Sequence, residues 1–219
     1  MNRLAVFDCD GTLVDSQATI CLAVAQGFAA CGIAAPGDAA ARGIIGLSLV
    51  EAMRVLHPAG EADEHDRLAS AYKSAFFDLR AAGLAREPLY DGVADAIAEL
   101  AGRGWLLGVA TGKSDRGLKH VLEHHGLHPA FMTLQTADRH PSKPHPSMLE
   151  QAMADAGAGP ATTAMIGDTS YDVAMAKAAG CAAIGVAWGY HTADVLAAAG
   201  ADVVARHPSE LVAMLEALP

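Results

Sequence analysis

The sequence predicts an α/β fold, a doubly wound parallel sheet with an inserted all-helical domain. Two observations predict it. Short runs rich in Val, Ile and Leu alternate with longer helical patterns, and most runs are apolar on both faces, as strands of a buried parallel sheet must be. One interval, residues 16–86, breaks the alternation and contains no convincing strand.

Strand patterns fall at 4–7, 106–110, 132–136, 164–166 and 183–187, with a weaker one at 202–205. Helical patterns lie between them at 92–103, 114–125, 146–156, 170–179 and 192–199, and a closing one at 209–217. Asp91, Ser114 and Thr192 are the expected N-caps, while Gly104, Gly126, Gly157, Gly180 and Gly200 punctuate helix ends. A sheet of this kind binds its ligands at the carboxyl ends of the strands. The strandless interval has turns at 32–37, 43–46 and 58–60. At about 70 residues it is far longer than a crossover connection needs. The expected organisation is therefore a core of residues 1–15 and 87–219 with a helical domain of residues 16–86, hinged at 15–16 and 86–88.

Composition narrows the function classes. The 219 residues are 52% hydrophobic and 18% charged, enough apolar material for a sizeable core and incompatible with disorder. Aromatics reach 5%, and alanine is abundant, a mix that suits packed helices better than a β-sandwich. Fifteen Lys and Arg against 25 Asp and Glu give a net charge of −10 with no basic run, which argues against nucleic acid or a polybasic membrane contact. Cys9, Cys21, Cys31 and Cys181 form no CxxC pair, so the expectation is three core thiols and one beside the chemistry. Asp8 and Asp10 interrupt the N-terminal apolar run well short of a signal peptide, and no stretch approaches the ~20 apolar residues of a membrane span. These features predict a cytoplasmic protein.

The strongest chemical signal follows the first strand: Val6-Phe7-Asp8-Cys9-Asp10-Gly11-Thr12-Leu13-Val14-Asp15-Ser16. Asp-Gly alone could be a turn. Asp8, however, continues a buried run, where an unpaired carboxylate would be costly. The segment resembles the nucleophile motif of the haloacid dehalogenase superfamily, hydrophobic strand-Asp-x-Asp-Gly-Thr. The resemblance implies that Asp8 attacks phosphorus and Asp10 is the general acid/base. A carboxylate can hold a phosphoryl group as an acyl phosphate, and a second carboxyl can protonate the leaving alkoxide and then activate water.

Three further motifs follow in the family's order. Leu107-Gly108-Val109-Ala110-Thr111-Gly112-Lys113-Ser114 resembles the second, in which Thr111 and the Gly112 N–H bind phosphoryl oxygens. A P-loop shares the Gly-Lys-Ser tail, but Leu107 stands where it needs glycine. Ser142-Lys143-Pro144-His145-Pro146 resembles the third, making Lys143 the charge clamp between nucleophile and phosphate. Ile166-Gly167-Asp168-Thr169-Ser170-Tyr171-Asp172 resembles the fourth. Convergence of Asp8, Asp10 and Asp168 would set three like charges together, a conflict that a divalent cation resolves. Mg²⁺ suits such an all-oxygen site. By resemblance its ligands are the Asp8 side chain, the Asp10 backbone carbonyl and Asp168, with Asp172 a ligand or an orienter of the ligands.

The resemblance covers the whole chain, places the helical insertion where the family's helical caps lie, and implies a Rossmann-like core. It points to a Mg²⁺-dependent phosphatase of the phosphoglycolate phosphatase type, acting on a small phosphorylated metabolite through an aspartyl phosphate, as a monomer or homodimer. A sugar phosphomutase, a pyrophosphatase and a non-catalytic phosphate-ester binder are the alternatives. Asp10 argues against a dehalogenase or a phosphonatase, and Lys73 is the one lysine in the insertion. One departure stands out: Thr111-Gly112-Lys113 replaces the Thr-Asn-Lys of many phosphoglycolate phosphatases. Of the ten histidines, His120, His124, His125 and His128 share a helix end without a zinc-protease Glu, and read as a solvated or packed face. Gly157-Ala158-Gly159-Pro160 precedes a strand pattern and lacks the final glycine of a dinucleotide loop. Arg42-Gly43-Ile44-Ile45-Gly46 is either a substrate-contacting cap loop or simply a turn.

Overall fold

A computed structural model describes residues 2–218. Six parallel strands form one sheet: β1 (Asn2–Phe7), β2 (Leu106–Thr111), β3 (Thr133–Thr136), β4 (Ala158–Gly167), β5 (Ala182–Val186) and β6 (Val203–Ala205), in the order β3-β2-β1-β4-β5-β6. The chain winds from β1 outward through β2 and β3, then returns to the other side of β1 for β4 to β6. The crevice at this reversal, between the carboxyl ends of β1 and β4, is where such sheets bind ligands.

Alternation along β1 shows why the sheet is covered on both faces. Ala5 and Phe7 join one apolar cluster, with side chains from α5 (Val93–Gly102), α6 (Asp115–His124) and α10 (Leu211–Ala217). Leu4 and Val6 join the other, with α7 (Ser147–Ala156), α8 (Ser170–Ala178) and α9 (Ala193–Ala198). Both sets of strand side chains are buried, the reason these strands read as continuous apolar runs.

Between β1 and α5 lie four helices: α1 (Gln17–Ala30), α2 (Asp38–Gly43), α3 (Leu49–Leu56) and α4 (Ala62–Ala81). They carry an apolar core of their own, built from Ile20, Val24 and Phe28 of α1, Met53 of α3 and Leu68 of α4. A Cβ at Gly27 would stand 3.0 Å from the Tyr72 nitrogen, so the missing side chain lets α1 and α4 cross closely. The two connections to the sheet run side by side. Asp15 N–H donates to the Pro88 carbonyl (2.9 Å), Tyr90 N–H to that of Leu13 (3.1 Å), and the Thr19 hydroxyl to that of Arg86 (2.9 Å).

Several expectations change in detail. The cap of α5 is Gly92 at φ 79°, not Asp91, because the chain turns through a left-handed residue immediately before the helix. Ser114 and Thr192 do cap, accepting from Gly117 and Val195 N–H. β4 begins at Ala158, earlier than the apolar run, because an irregular register lets Ala158 pair with Asn2 before Thr163 pairs with Leu4. Gly159 and Pro160 hide that extension from any reading by strand propensity. Cys9 and Cys181 are buried, but Cys21 and Cys31 are half-buried at the margin of the helical core rather than inside it; all four are free. Among the described residues no helix is long and apolar enough to cross a membrane.

Candidate active site

Asp8 is the first residue beyond β1, and its N–H still donates to the Ile166 carbonyl of β4 (2.9 Å). The ladder thus delivers its side chain, fully buried, to the crevice where the sheet reverses. Its Oδ1 accepts from Cys9 N–H (2.6 Å). Oδ2 lies 2.9 Å from the Lys143 Nζ but receives no well-aligned hydrogen bond. Burial pushes the Asp8 pKa up to about 7, with Asp172 adding to the rise and Lys143 opposing it.

Lys143 comes from the loop before α7, with prolines at 141, 144 and 146 around it and a cis peptide to Pro144. Its side chain is fully buried, and Nζ donates to Asp172 Oδ1 at 2.6 Å. Burial opposes the ammonium, but Asp172 and Asp8 outweigh it and hold the pKa above the ordinary lysine value. Asp172 sits at the third position of α8, where its Oδ2 accepts from the Thr169 N–H (3.0 Å) and hydroxyl (2.7 Å) in a reciprocal capping box. Both Asp172 oxygens are therefore engaged.

Asp168 follows β4 directly and is fully buried. Oδ1 accepts from the Thr12 hydroxyl (2.9 Å) and Oδ2 from the Tyr190 N–H (2.9 Å). Burial, then Asp172 and Asp8, raise its pKa well above the usual carboxylate range. Gly11, at φ +83°, turns the chain past this side chain, where any Cβ would overlap the Asp168 carboxylate.

Asp8, Asp168 and Asp172 bring carboxylate oxygens within 4.8 Å of one another. Three buried acids against one ammonium leave negative charge uncompensated, and Asp8 Oδ2 lacks an aligned donor. A hard divalent cation with oxygen ligands fits this deficit.

Asp10 is turned elsewhere. Its Oδ1 accepts from the Ser16 hydroxyl and pairs with Lys113 Nζ at 2.8 Å. Lys113 also donates to Glu87 (2.9 Å), which in turn pairs with Arg80 of α4 (2.6 Å). Burial raises the Glu87 pKa, but Lys113 and Arg80 prevail and hold it below the ordinary value. Thr111, at the end of β2, is buried and its hydroxyl accepts from Lys113 N–H (3.3 Å).

The cap loop 43–48 rests on the same motifs. Ser48 N–H donates to the Ser142 hydroxyl (2.8 Å), and the Tyr171 hydroxyl to the Gly43 carbonyl (3.1 Å). A Cβ at Gly112 would overlap the Leu47 carbonyl oxygen and stand 2.9 Å from that of Gly46. The glycine in place of asparagine thus has a structural correlate: it lets the loop lie directly on the second motif. At the histidine helix end His120 and His124 are exposed, their rings stacked at 6.2 Å, while half-buried His125 is bonded to the Glu87 carbonyl (2.8 Å).

A family model described as "haloacid dehalogenase-like hydrolase" matches residues 5–186. The chain belongs to that family. Over 220 residues it is 40% identical to the "probable phosphatase IndB" of Dickeya dadantii, covering 100% of this chain and 95% of that one. It is 30% identical to the phosphoglycolate phosphatase of Vibrio parahaemolyticus, with 96% and 94% covered. Among solved structures, a predicted phosphatase from Clostridium acetobutylicum superposes with a TM-score of 0.87 at 26% identity, over 99% of each chain. Sequence reasoning missed Glu87, Arg80 and Tyr190 as neighbours of this dehalogenase-like site, and gave Ser16, Thr12, Thr169 and Lys113 no role within the motifs that contain them. The threonines carry a usable signal, being hydroxyls inside acidic motifs. Glu87 and Tyr190 carry none, because their partners are distant in sequence.

Proposed function

We propose that this protein hydrolyses a small-molecule phosphomonoester with Mg²⁺, through an aspartyl phosphate on Asp8. Phosphoric monoester hydrolysis is the activity that the family membership and the full-length relatives support. The observation that carries the residue roles is the fully buried Asp8–Lys143–Asp172 ion cluster beside Asp168, at the sheet's switch point and beneath the helical insertion.

In this reading an Asp8 oxygen attacks phosphorus and the bond to the leaving alkoxide breaks. The Asp10 carboxyl, which lines the cleft, protonates that alkoxide. It then takes a proton from water, which attacks the acyl phosphate, releases inorganic phosphate and restores Asp8. Lys143 neutralises charge between Asp8 and the phosphoryl oxygens, while the Thr111 hydroxyl and Gly112 N–H hold those oxygens. Asp8, Asp168 and the Asp10 carbonyl would hold Mg²⁺, which supplies Lewis-acid neutralisation of phosphoryl charge. Asp172, with both oxygens occupied, orients Lys143.

Residues 16–86 act as the cap over a core of 1–15 and 87–219, closing on the site through loop 43–48 and excluding water during transfer to Asp8. The test is phosphate release from small esters, including phosphoglycolate, pyrophosphate and a hexose phosphate, with and without Mg²⁺ and with Asp8→Asn as blank. Metal-dependent release that vanishes in the variant is expected. A folded, Mg²⁺-loaded protein that isomerises the hexose phosphate without release, or turns over nothing, overturns the proposal.

A further inference from the structure

The cleft between the helical insertion and the core has a volume of about 1030 Å³. It starts at Asp10 and Gly112 and runs outward between α4 and α6. Ligand cavities of roughly 300–1,000 Å³ enclose molecules of drug size, far larger than a two-carbon acid. Nor is this volume the gape of a detached lid, because loop 43–48 is already seated on Ser142, Tyr171 and Gly112.

One wall of the cleft is apolar, and Lys73, Asp115, Lys119, Glu123 and Asp138 line other parts of it. From α4 come Tyr72, Phe76 and Phe77, with Tyr72 and Phe76 in ring contact at 5.8 Å; Ile44, Ile45 and Val50 add an aliphatic floor. Phe77 is 53% exposed at this wall. Cations border the rings: Lys113 lies 5.5 Å from the Phe76 centroid, and Arg116 of α6 lies 5.1 Å from that of Phe77, across the cleft. Arg116 has no acidic partner among the described residues. A short aliphatic phosphate ester held at Asp8 would leave this wall in water. A planar ring set against it would bury the phenyl faces and meet a guanidinium suited to stacking.

Resting on the phosphatase reading above, we infer that the substrate's leaving group is a ring-bearing body that reaches from Asp10 to Phe76 and Phe77. Specificity then lies in the aromatic wall of α4, away from the four motifs, which see only the phosphoryl group.

Four primary alkyl phosphates of matched leaving-group chemistry test this: benzyl phosphate, a pyrimidine nucleoside 5′-monophosphate, phosphoglycolate and glycerol 3-phosphate. At least one ring-bearing ester should show a kcat/KM tenfold or more above both short esters. Phe77→Ala, exposed and so expected to fold, should raise KM for that ester about tenfold, within the range for loss of one aromatic stacking partner, and leave the short esters unchanged. Phe76→Leu should do the same while keeping an apolar cover over Lys113. Calorimetry on Asp8→Asn should show the ring-bearing ester binding more tightly than the short ones. Equal or better turnover of the short esters, or a Phe77→Ala effect common to all four, overturns the inference while leaving the phosphatase standing. Absence of release from every ester overturns both.

Discussion

Two charge assemblies meet at the end of the sheet, and they are built differently. Asp8, Lys143, Asp168 and Asp172 are buried in the core, come from the ends of β1 and β4, the loop before α7 and the first turn of α8, and make their contacts within that layer. Asp10, Lys113, Glu87 and Arg80 form a chain that crosses from the core, through the returning connection, to α4 of the insertion. The first assembly is set by folding of the core alone. In the second, Asp10, Lys113 and Glu87 all belong to the core, and the Glu87–Arg80 pair carries the chain onto the insertion, linking the proposed acid/base to it. In the proposed mechanism the groups that would hold the phosphoryl centre lie wholly in the core, and the group that would serve two successive proton transfers is linked through Lys113 and Glu87 to the insertion.

The largest expected effect tests the first assembly. Asp8→Asn should lower phosphate release by about 10⁴-fold or more, as removal of a nucleophile does, with the circular dichroism spectrum unchanged. Activity near that of the parent protein would take the nucleophile away from Asp8. Lys143→Met should cost both rate and stability. Removing one partner of a buried ion cluster typically destabilises by about 3–5 kcal/mol, readable as a lower urea midpoint. A midpoint shift under about 1 kcal/mol would mean that water reaches the cluster and that the contrast with the outer chain is overdrawn.

Smaller effects sharpen the second assembly. Glu87→Gln should lower kcat by about tenfold, short of the 10²–10⁴ associated with the general acid itself, and lower the urea midpoint by less than Lys143→Met does, since its partners lie nearer solvent. Should it match Lys143→Met in stability loss, the outer chain would be structural rather than a coupling device. Gly112→Asn should raise KM by about tenfold and increase proteolysis of loop 43–48, because no side chain at 112 fits beneath the Leu47 carbonyl. Unchanged KM and unchanged cleavage would show that the loop has another seat. Smallest is Ser114→Ala, which removes the acceptor for Gly117 N–H at the start of α6 and should cost about 1 kcal/mol of stability.

Much of the core was legible from residue order. Apolar runs predicted the six strands, and glycines marked helix ends, because parallel strands and left-handed caps impose local chemical demands. The three buried acids and Lys143 were legible too, since each ends a strand or opens a helix in a recognisable motif. Other features were not. The early start of β4 depends on pairing with Asn2, 156 residues away in sequence. The left-handed residue before α5 displaced an ordinary acidic cap. Glu87 matters only because Lys113 and Arg80 arrive on either side of it.

The sequence by itself determined the alternating α/β plan, the insertion's place after the first strand and the acidic and lysine motifs of the candidate site, because each is written in periodicity or in a contiguous motif. Only the tertiary structure decided that Asp10 faces Lys113 rather than the acid cluster, that Gly112 lies beneath a carbonyl of the insertion, and that three aromatic residues of α4 line the cleft. Those facts concern which surfaces meet across a gap, and packing between segments far apart in the chain leaves no periodic trace in either one.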